Sequence, residues 1–441
     1  MSPFVLLLLA SFTQGPAASG ADTAPLAYRV FEAKQAGEAI AVVRATCERC
    51  DWGVEGREAA VLRISFDGRY SQHVMLARGS GTWEYQLTLG AVSPGTHRLF
   101  VHLDAALSAR DAGKVTVAGL STHVVPPGSD EHLAQAMAPF VYARPDTVGK
   151  FTDVPVLMWY EIVAVPQGRQ FRYSAIFSNE DGGTATDRLM ATWGRTTDIE
   201  YIYGATVDAQ GTVVAEEFQG PGHEVPPFKG RHEGRHPLQW VSTINNMVSE
   251  SGPTELRYAP VPVKFDLTNA SREVVMDAHP WTHVLASKEM VREKKISETA
   301  AAGSGIIPDP RRFVFVEACT ELQHAAVAFA VRARDPSGDV RWFESDRGLP
   351  QFRIVRPGCF RGAVPLPAGA GLPEAVRLRA RSLPPRANAA APAGPAAVTL
   401  TRVNRVFTLD DGYVPRPSLF AWTGSSALAI DGEPIEFRIP R

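Results

Sequence analysis

The feature that most constrains this chain is a succession of short runs in which apolar and polar residues alternate, separated by turns rich in glycine and proline. Alternation with a period of two residues predicts strands with one buried face. Asp67-Gly68 is a hairpin signal, and Ser93-Pro94-Gly95 marks a second turn. About 100 residues of such strands predict an N-terminal immunoglobulin-like β-sandwich over residues 25–127.

The same pattern continues to the end of the chain, so the predicted fold class is mostly β. Residues 129–305 form a central β-rich α+β domain in this prediction, and residues 306–441 form a C-terminal β-sandwich. Helices are expected at 129–140, where Ser129 or Asp130 provides an N-cap and Pro139 a stop, and at 287–300, where Ser287 is the cap. Residues 382–397 are so rich in Pro, Ala and Gly that we expect a surface loop.

The first 21 residues predict a signal peptide, because a short apolar core is followed by Gly15-Pro16 and a run of small residues. That core is too short to span a membrane, and no later segment is apolar enough to do so. A secreted or periplasmic location favours disulfides. Cys319 and Cys359 then form one candidate pair, and Cys47 and Cys50 form a local one.

The balance of charge restricts the partners. The chain has 45 Lys plus Arg against 47 Asp plus Glu, for a net charge of -2. Such a balance argues against a nucleic-acid-binding protein. Glycine-rich phosphate loops and serine nucleophile motifs are also missing from the sequence. The sequence does not indicate an oligomeric state.

The most polar stretch runs from residue 177 to residue 204, and its last part predicts a strand. Alternation places Asp198 and Glu200 on one face of that strand, opposite Tyr201 and Tyr203. Two carboxyl groups this close would serve as acid and base or as ligands of a cation, because each disfavours the ionisation of the other. We therefore name Asp198, Glu200, Asp181 and Arg195 as candidate catalytic residues. The alternative is a solvated strand face with a surface ion pair.

Other polar side chains of the same stretch are candidate ligand-binding residues. These are Asn179, Asp187 and Arg188, with Trp193 among them as an aromatic platform. Polar groups beside an aromatic ring are typical of a sugar-binding cleft, so a polysaccharide or other glycan is the expected partner. The alternative is a turn, because Asn, Asp and Gly readily adopt turn conformations. An EF-hand is excluded because Gly and Glu are missing from the required positions.

A possible metal motif lies at residues 232–236, where HEGRH matches H-E-x-x-H. That motif binds zinc when a helix brings both histidines to one face. Gly234 and Pro237 argue against a helix here. Binding from loops by His232, His236 and His223 stays open. The cofactor is unknown. These residues would suit a divalent cation, either calcium or zinc.

Aromatic residues of the first domain suggest a carbohydrate-binding module. Trp52, Tyr70, Trp83 and Tyr85 would stack on sugars if exposed, or fill the core of the sandwich if buried. The sequence thus predicts a secreted glycan-acting hydrolase or lyase that uses the central carboxylates. The alternatives are a non-catalytic extracellular protein that binds glycan or calcium, and a zinc metallopeptidase at HEGRH.

Overall fold

The computed structural model describes residues 24–180, 182–384 and 394–440, and this part of the chain is mostly β, as predicted. The predicted signal peptide, Asp181 and the middle of the predicted loop 382–397 lie outside the described residues. No helix in the described ranges is long and apolar enough to cross a membrane.

The N-terminal region is a sandwich of seven strands around one apolar core. They are β1 (Ala27–Ala33), β2 (Gly37–Cys47), β3 (Val61–Phe66), β4 (Arg69–Met75), β5 (Thr82–Val92), β6 (Gly95–Leu103) and β7 (Val115–Val125). One sheet has the order β1-β6-β3-β4 and the other the order β5-β2-β7. In a constant-type immunoglobulin domain the first, second, fifth and fourth strands form one sheet. Here the first, sixth, third and fourth strands form that sheet, so the strand order is different. The predicted sandwich is present, and its immunoglobulin-like character is not confirmed.

The turn signals of this sandwich were predicted correctly. Asp67 and Gly68 have φ angles of 48° and 76° and join β3 to β4. Positive φ at both central residues is the requirement of a two-residue hairpin with the favoured twist, which Asp-Gly meets with little strain. The turn at Pro94 joins β5 to β6.

The central region contains two facing sheets and four helices. Its strands are β8 (Phe140–Tyr142), β9 (Pro155–Val165), β10 (Gly168–Phe177), β11 (Ile199–Val207), β12 (Val213–Phe218), β13 (His232–Glu233), β14 (His236–Val241), β15 (Val248–Ser249), β16 (Arg257–Tyr258) and β17 (Val263–Lys264). The helices are α1 (Asp130–Ala136), α2 (Thr186–Trp193), α3 (Val274–Ala278) and α4 (Trp281–Arg292). The larger sheet has the order β12-β11-β10-β9-β17, and the smaller has β13-β14-β8-β16 with β15 beside β14. Apolar side chains of both sheets and of α1 form one core.

The C-terminal region is a second sandwich, as predicted. Its strands are β18 (Phe313–Gln323), β19 (Ala326–Arg334), β20 (Val340–Glu344), β21 (Gly358–Pro365), β22 (Ala375–Arg381), β23 (Ala397–Phe407), β24 (Phe420–Leu428) and β25 (Ile435–Arg438). The sheets β21-β18-β23-β24 and β20-β19-β22-β25 enclose a common core. Short 3-10 helices occur at Pro145–Thr147, Pro310–Arg312 and Pro350–Phe352. The exact domain boundaries stay predictions.

The helices were predicted in part. Ser129 caps α1, accepting a hydrogen bond from the His132 amide at 3.0 Å, as expected. The predicted helix 287–300 is wrong in its limits, because α4 starts after Pro280, which has a helical φ. It ends before Lys294, whose φ of 57° is left-handed. Ser287 is therefore a buried residue in the middle of the helix and not its cap.

Both predicted disulfides are present. Cys319 and Cys359 are paired across neighbouring strands β18 and β21, and Cys47 is joined to Cys50 after β2. Two of the four aromatic residues that were proposed to stack on sugars are buried. Trp52 and Tyr85 lie in the core, whereas Trp83 keeps 38% of its surface exposed. The core alternative is thus confirmed for Trp52 and Tyr85.

Helix α4 joins the three regions. The Trp52 indole of the first sandwich donates a hydrogen bond to Glu289. On the same helix, Lys288 lies 2.9 Å from Asp51, and Met290 packs with Phe315 of the C-terminal sandwich. These contacts fix the position of the central sheet between its two neighbours.

A buried ion cluster fastens α3 to the C-terminal sandwich. Arg361, on β21, is fully buried and donates to Asp277 of α3 at 3.0 Å and to Glu317 of β18 at 2.8 Å. Two carboxylates compensate the desolvation of this guanidinium, and removing it would leave the buried Glu317 without its ion pair, whereas Asp277 would keep Arg405 at 2.8 Å.

We predict that Arg361→Ala lowers the free energy of unfolding by about 3–5 kcal/mol. The matched control is Arg341→Ala, because Arg341 pairs with Asp335 at 2.8 Å on an exposed surface, where an ion pair contributes about 1 kcal/mol or less. Chemical denaturation measures both effects. Equal losses in the two variants would contradict the stabilising role of the buried cluster.

Candidate functional site

An open cavity of about 600 Å³ lies where the central sheet meets the C-terminal sandwich. Ionisable side chains dominate its wall. The carboxyl groups are those of Glu180, Asp198, Glu200 and Glu273, and the guanidinium groups are those of Arg195, Arg272 and Arg356. Trp193, His223 and Asn245 line it as well.

The connection between β10 and β11 positions the acidic part of the cavity. The chain leaves β10 at Phe177, forms α2, and turns back at Gly194, whose φ of 60° suits a helix end that glycine adopts without a Cβ penalty. It returns to the sheet at Asp198, whose carbonyl accepts a hydrogen bond from the Phe177 amide at 3.0 Å. Helix α2 is absent from the sequence prediction, which treated this connection as a loop.

Asp198 and Glu200 lie on one face of β11, as alternation predicted, and their carboxyl groups are within hydrogen-bonding distance of each other. The alternation then fails at a β-bulge. Tyr173 pairs with Tyr203 and Ser174 with Tyr201, so Ile202 is the extra residue. Tyr203 therefore lies on the same face as Glu200, and its predicted position on the opposite face is wrong.

The Asp198 carboxyl is buried, with 1% of the residue exposed. Its oxygens accept hydrogen bonds from the Ile199 amide at 2.9 Å and from the Asn246 side chain at 3.0 Å, and Arg195 lies 3.5 Å away. Burial raises the pKa of Asp198 above its ordinary value, although these partners lower it. The solvated strand face considered as an alternative is therefore wrong.

Two glutamates next to Asp198 hold protons more tightly than usual. Burial, and then the charge of Asp198, raises the pKa of Glu200 to about 9 and that of Glu180 to about 7. Glu200 accepts a hydrogen bond from Gln219 at 3.1 Å, and Glu180 accepts one from the Thr184 amide at 2.6 Å. At neutral pH the Glu200 carboxyl in the cavity is thus protonated, and the Glu180 carboxyl is near its titration midpoint.

Arg195, Arg272 and Arg356 form a cationic wall of the same cavity, next to the carboxyl groups. Arg195 lies between Asp198 and Glu273, with its Nε 3.4 Å from the Glu273 carboxylate. Arg356 lies over the Trp193 ring at 4.8 Å and donates to the Thr192 carbonyl at 2.7 Å. Burial is the main reason why the pKa of Arg356 falls to about 10.

The structure brings together five of the residues that the sequence suggested. Asp198, Glu200, Arg195, Trp193 and His223 all line this cavity. His223 contacts Gln219 at 3.0 Å and Asn245 at 3.4 Å. Their roles in catalysis or binding stay predictions.

Three of the proposed ligand-binding residues do not line the cavity. Asn179 is buried beneath it and accepts a hydrogen bond from the Asp153 amide at 2.8 Å. Asp187 is buried in α2 and accepts one from the Gly303 amide at 2.7 Å. Arg188 is exposed on α2. The first two have structural contacts that explain their polar side chains.

The HEGRH motif forms a hairpin and not a helix, as Gly234 and Pro237 indicated. Glu233 pairs with His236 across the turn between β13 and β14. His232 contacts Glu216 at 2.8 Å, whereas buried His236 contacts the Ala138 carbonyl at 2.9 Å. The two histidines thus face different partners, away from His223. In the described part of the chain, no group of three or more His, Cys, Asp or Glu side chains is arranged to hold a metal ion.

Sequence reasoning missed two of the three arginines of the cationic wall, Arg272 and Arg356, and the Asn246 side chain that supports Asp198. Arg272 and Glu273 precede α3, Arg356 precedes β21, and Asn246 follows β14. They come from loops far apart in the chain, and only the packing of the central and C-terminal regions brings them to the cavity. Adjacent charges, as in Arg272-Glu273, were the only local signal.

Comparison with known proteins gives little guidance. No family model and no curated protein matches the chain. Among solved structures, NLPPya in complex with mannosamine has 11% identity and a TM-score of 0.24, covering 42% of this chain and 86% of that one. The tandem CBM51 modules of Sp3GH98, a family 98 glycoside hydrolase from Streptococcus pneumoniae, have 8% identity and a TM-score of 0.15, covering 78% and 73%. Scores this low do not establish a shared fold, so the site is interpreted from its own geometry.

We predict that Glu200 makes the stability of the protein depend on pH. Its pKa is about 9 when folded and ordinarily 4.5. Between these values the folded state binds more protons than the unfolded state, so the free energy of unfolding falls as pH rises. Glu200→Gln removes this contribution, and we expect a flatter profile from about pH 5 to about pH 8 in chemical denaturation.

The exposed Glu321 provides the control. Glu321→Gln should retain the pH dependence of the natural protein. If Glu200→Gln has the same profile as the natural protein, the raised pKa of Glu200 is refuted.

Proposed function

We propose that the protein is an exported enzyme that cleaves glycans, as a hydrolase or a lyase, and that the carboxyl groups of the cavity transfer the protons. The observation that carries this proposal is the convergence of Glu180, Asp198 and Glu200 beside Trp193 in one open cavity. Proton donors and acceptors next to an aromatic ring are the groups that cleavage of a sugar chain requires.

The protonation of Glu200 supports its role as the acid. Cleavage of a glycosidic bond requires a proton on the departing oxygen, and only a carboxyl that is protonated at working pH can supply it. With a pKa of about 9, Glu200 meets this condition at neutral pH. The neighbouring charge of Asp198 keeps the proton on Glu200, because repulsion between two carboxylates disfavours the ionised form of Glu200.

Asp198 does not suit the role of the opposite catalytic group. In most glycosidases the two carboxyl groups flank the scissile bond at about 5–5.5 Å or about 6.5–9.5 Å, whereas Asp198 and Glu200 are neighbours along one strand face and interact with each other. They act as one proton-carrying pair. We therefore assign the base to Glu180, because a pKa of about 7 lets it accept a proton near neutral pH.

The two reactions differ in where the second proton comes from. In hydrolysis the base takes it from water, whose oxygen bonds to the anomeric carbon as the glycosidic bond breaks. In β-elimination the base takes it from the carbon next to a sugar carboxylate, and a carbon–carbon double bond forms as the oxygen departs. The ultraviolet absorbance of that double bond distinguishes a lyase from a hydrolase.

An exported location accords with both disulfides, Cys47 with Cys50 and Cys319 with Cys359, since such bonds persist in oxidising compartments. The second candidate function, non-catalytic binding, would use the same cavity. Its three arginines favour a glycan over calcium in that role, because guanidinium groups oppose a cation.

We predict that Glu200→Gln and Glu180→Gln each lower kcat by about 10²-fold or more, because each removes a proton-transfer group. A panel of glycans is first screened for turnover, and a glycan that the natural protein cleaves is used as the substrate for the kinetic measurements. Thermal melting confirms that the variants are folded. Glu233→Gln is the matched control, since Glu233 lies in the HEGRH hairpin and pairs with Arg257 at 2.6 Å.

The control also tests the metallopeptidase alternative. Glu233→Gln should keep full glycan-cleaving activity, whereas a peptidase would lose its activity in this variant. Glycan binding without turnover in the natural protein would support the non-catalytic candidate and contradict the enzyme.

A further inference from the structure

We infer that the cavity recognises an anionic group of its glycan, a sugar carboxylate or sulfate, through Arg272 and Arg356. The identification of the ligand as a glycan rests on the proposed function, whereas the anion site follows from the side chains themselves.

The first observation is the crowding of three like charges. Burial is the main reason why the pKa of Arg356 is lowered; Glu273 opposes this effect, and the charges of Arg195 and Arg272 add to it by repulsion, so the three guanidinium groups line one part of the cavity. Packing does not require such an arrangement, and charges held together at a cost in stability are typical of functional sites.

The second observation is that Arg272 and Arg356 form no direct ion pair with the described residues, although Glu161 attracts Arg272 and Glu273 attracts Arg356 at longer range. Arg195 is held by Asp198 and Glu273. Arg356 donates only to a backbone carbonyl, that of Thr192. Arg272 has no hydrogen bond or ion pair with the described residues and is exposed at the cavity wall. Elsewhere in the same protein, buried Arg361 is compensated by two carboxylates.

The carboxyl groups of the cavity do not neutralise this wall. Glu200 is protonated at neutral pH and Glu180 is near its midpoint, with pKa values of about 9 and about 7. Asp198 and Glu273 are already in contact with Arg195. Arg272 and Arg356 therefore have no carboxylate of the described residues within ion-pair distance, although Glu273 attracts Arg356 at longer range, and both line the cavity where an external anion would bind.

Arg356 and Arg272 differ in how neighbouring residues contact them. The Trp193 ring lies under the Arg356 guanidinium at 4.8 Å, and Pro357-Gly358-Cys359 leads from it to the disulfide with Cys319. Arg356 is thus held in place, and a planar guanidinium matches the two oxygens of a carboxylate. Arg272, which precedes α3, is exposed to solvent.

Such an anion site would orient the substrate. A sugar whose carboxylate or sulfate lies against Arg272 and Arg356 has its ring beside Glu180 and Glu200, because all four side chains line the same cavity. The specificity of the protein is then for acidic glycans, and a neutral glycan of the same backbone would lose this contact.

Isothermal titration calorimetry on the Glu200→Gln protein, which slows turnover, tests the inference. The probes are a trisaccharide of galacturonic acid, its methyl ester, and a sulfated oligogalactan that carries no carboxylate. We expect an anionic probe to bind and the methyl ester to bind about 10- to 100-fold more weakly, because a charge-assisted contact is lost. Preference for the uronate or for the sulfated probe identifies the anion.

Adding Arg272→Gln or Arg356→Gln should weaken the anionic probe by about 10- to 100-fold and leave the ester unchanged. Adding Arg188→Gln, an exposed arginine of α2 outside the cavity, should change neither. Thermal melting verifies that each variant is folded. Because Arg272 is exposed, we expect Arg272→Gln to disturb folding less than Arg356→Gln. The inference is overturned if neither anionic probe binds, if the ester binds as tightly as the preferred anionic probe, or if the two arginine variants bind that probe like the control.

The failure of this inference and that of the proposed function have different outcomes. Cleavage of a neutral glycan that is unaffected by Arg272→Gln would leave the enzyme and remove the anion site. Arginine-dependent binding of an acidic glycan that the natural protein never cleaves would leave the anion site and remove the enzyme.

Discussion

The cavity depends on the burial of one carboxyl group, that of Asp198. Its oxygens are held by the Ile199 amide and the Asn246 side chain, and Arg195 lies nearby. These contacts keep a charged or proton-sharing group inside the protein, where an unpaired carboxylate would be strongly disfavoured. Burial, and then the charge of this carboxyl, raises the pKa of both Glu180 and Glu200. The surroundings of one buried acid thus keep two neighbouring carboxyl groups protonated to a higher pH than usual.

The position of the cavity follows from how the three regions meet. Helix α4 contacts both sandwiches, and the Arg361 cluster holds α3 against β18 and β21. The central sheet thereby contributes the carboxyl groups, and the loop before β21 contributes Arg356 from the C-terminal sandwich. Because the site is assembled from two regions, its geometry depends on how they pack. Substitutions in the Arg361 cluster should therefore alter the cavity, although the cluster does not line it.

Local patterns in the sequence predicted the strands and their turns, because alternation and the Asp67-Gly68 pair act over a few residues. They also placed Asp198 and Glu200 on one face, and failed from Ile202 onward, where a bulge adds a residue that alternation cannot reveal. Strand order in the first sandwich, and the arrival of Arg272 and Arg356 at the cavity, depend on contacts between residues distant in the chain. Burial of the acidic pair depends on the same contacts, which is why a solvated face was a reasonable alternative.

The central claim is that the cavity holds a protonated carboxyl at neutral pH, and the most direct test is to follow the Glu200 side chain itself. The carboxyl carbon resonance of Glu200, assigned by comparison with Glu200→Gln, is recorded by nuclear magnetic resonance as pH changes. We expect its titration midpoint at about 9, well above the ordinary 4.5. A midpoint close to 4.5 would contradict the account.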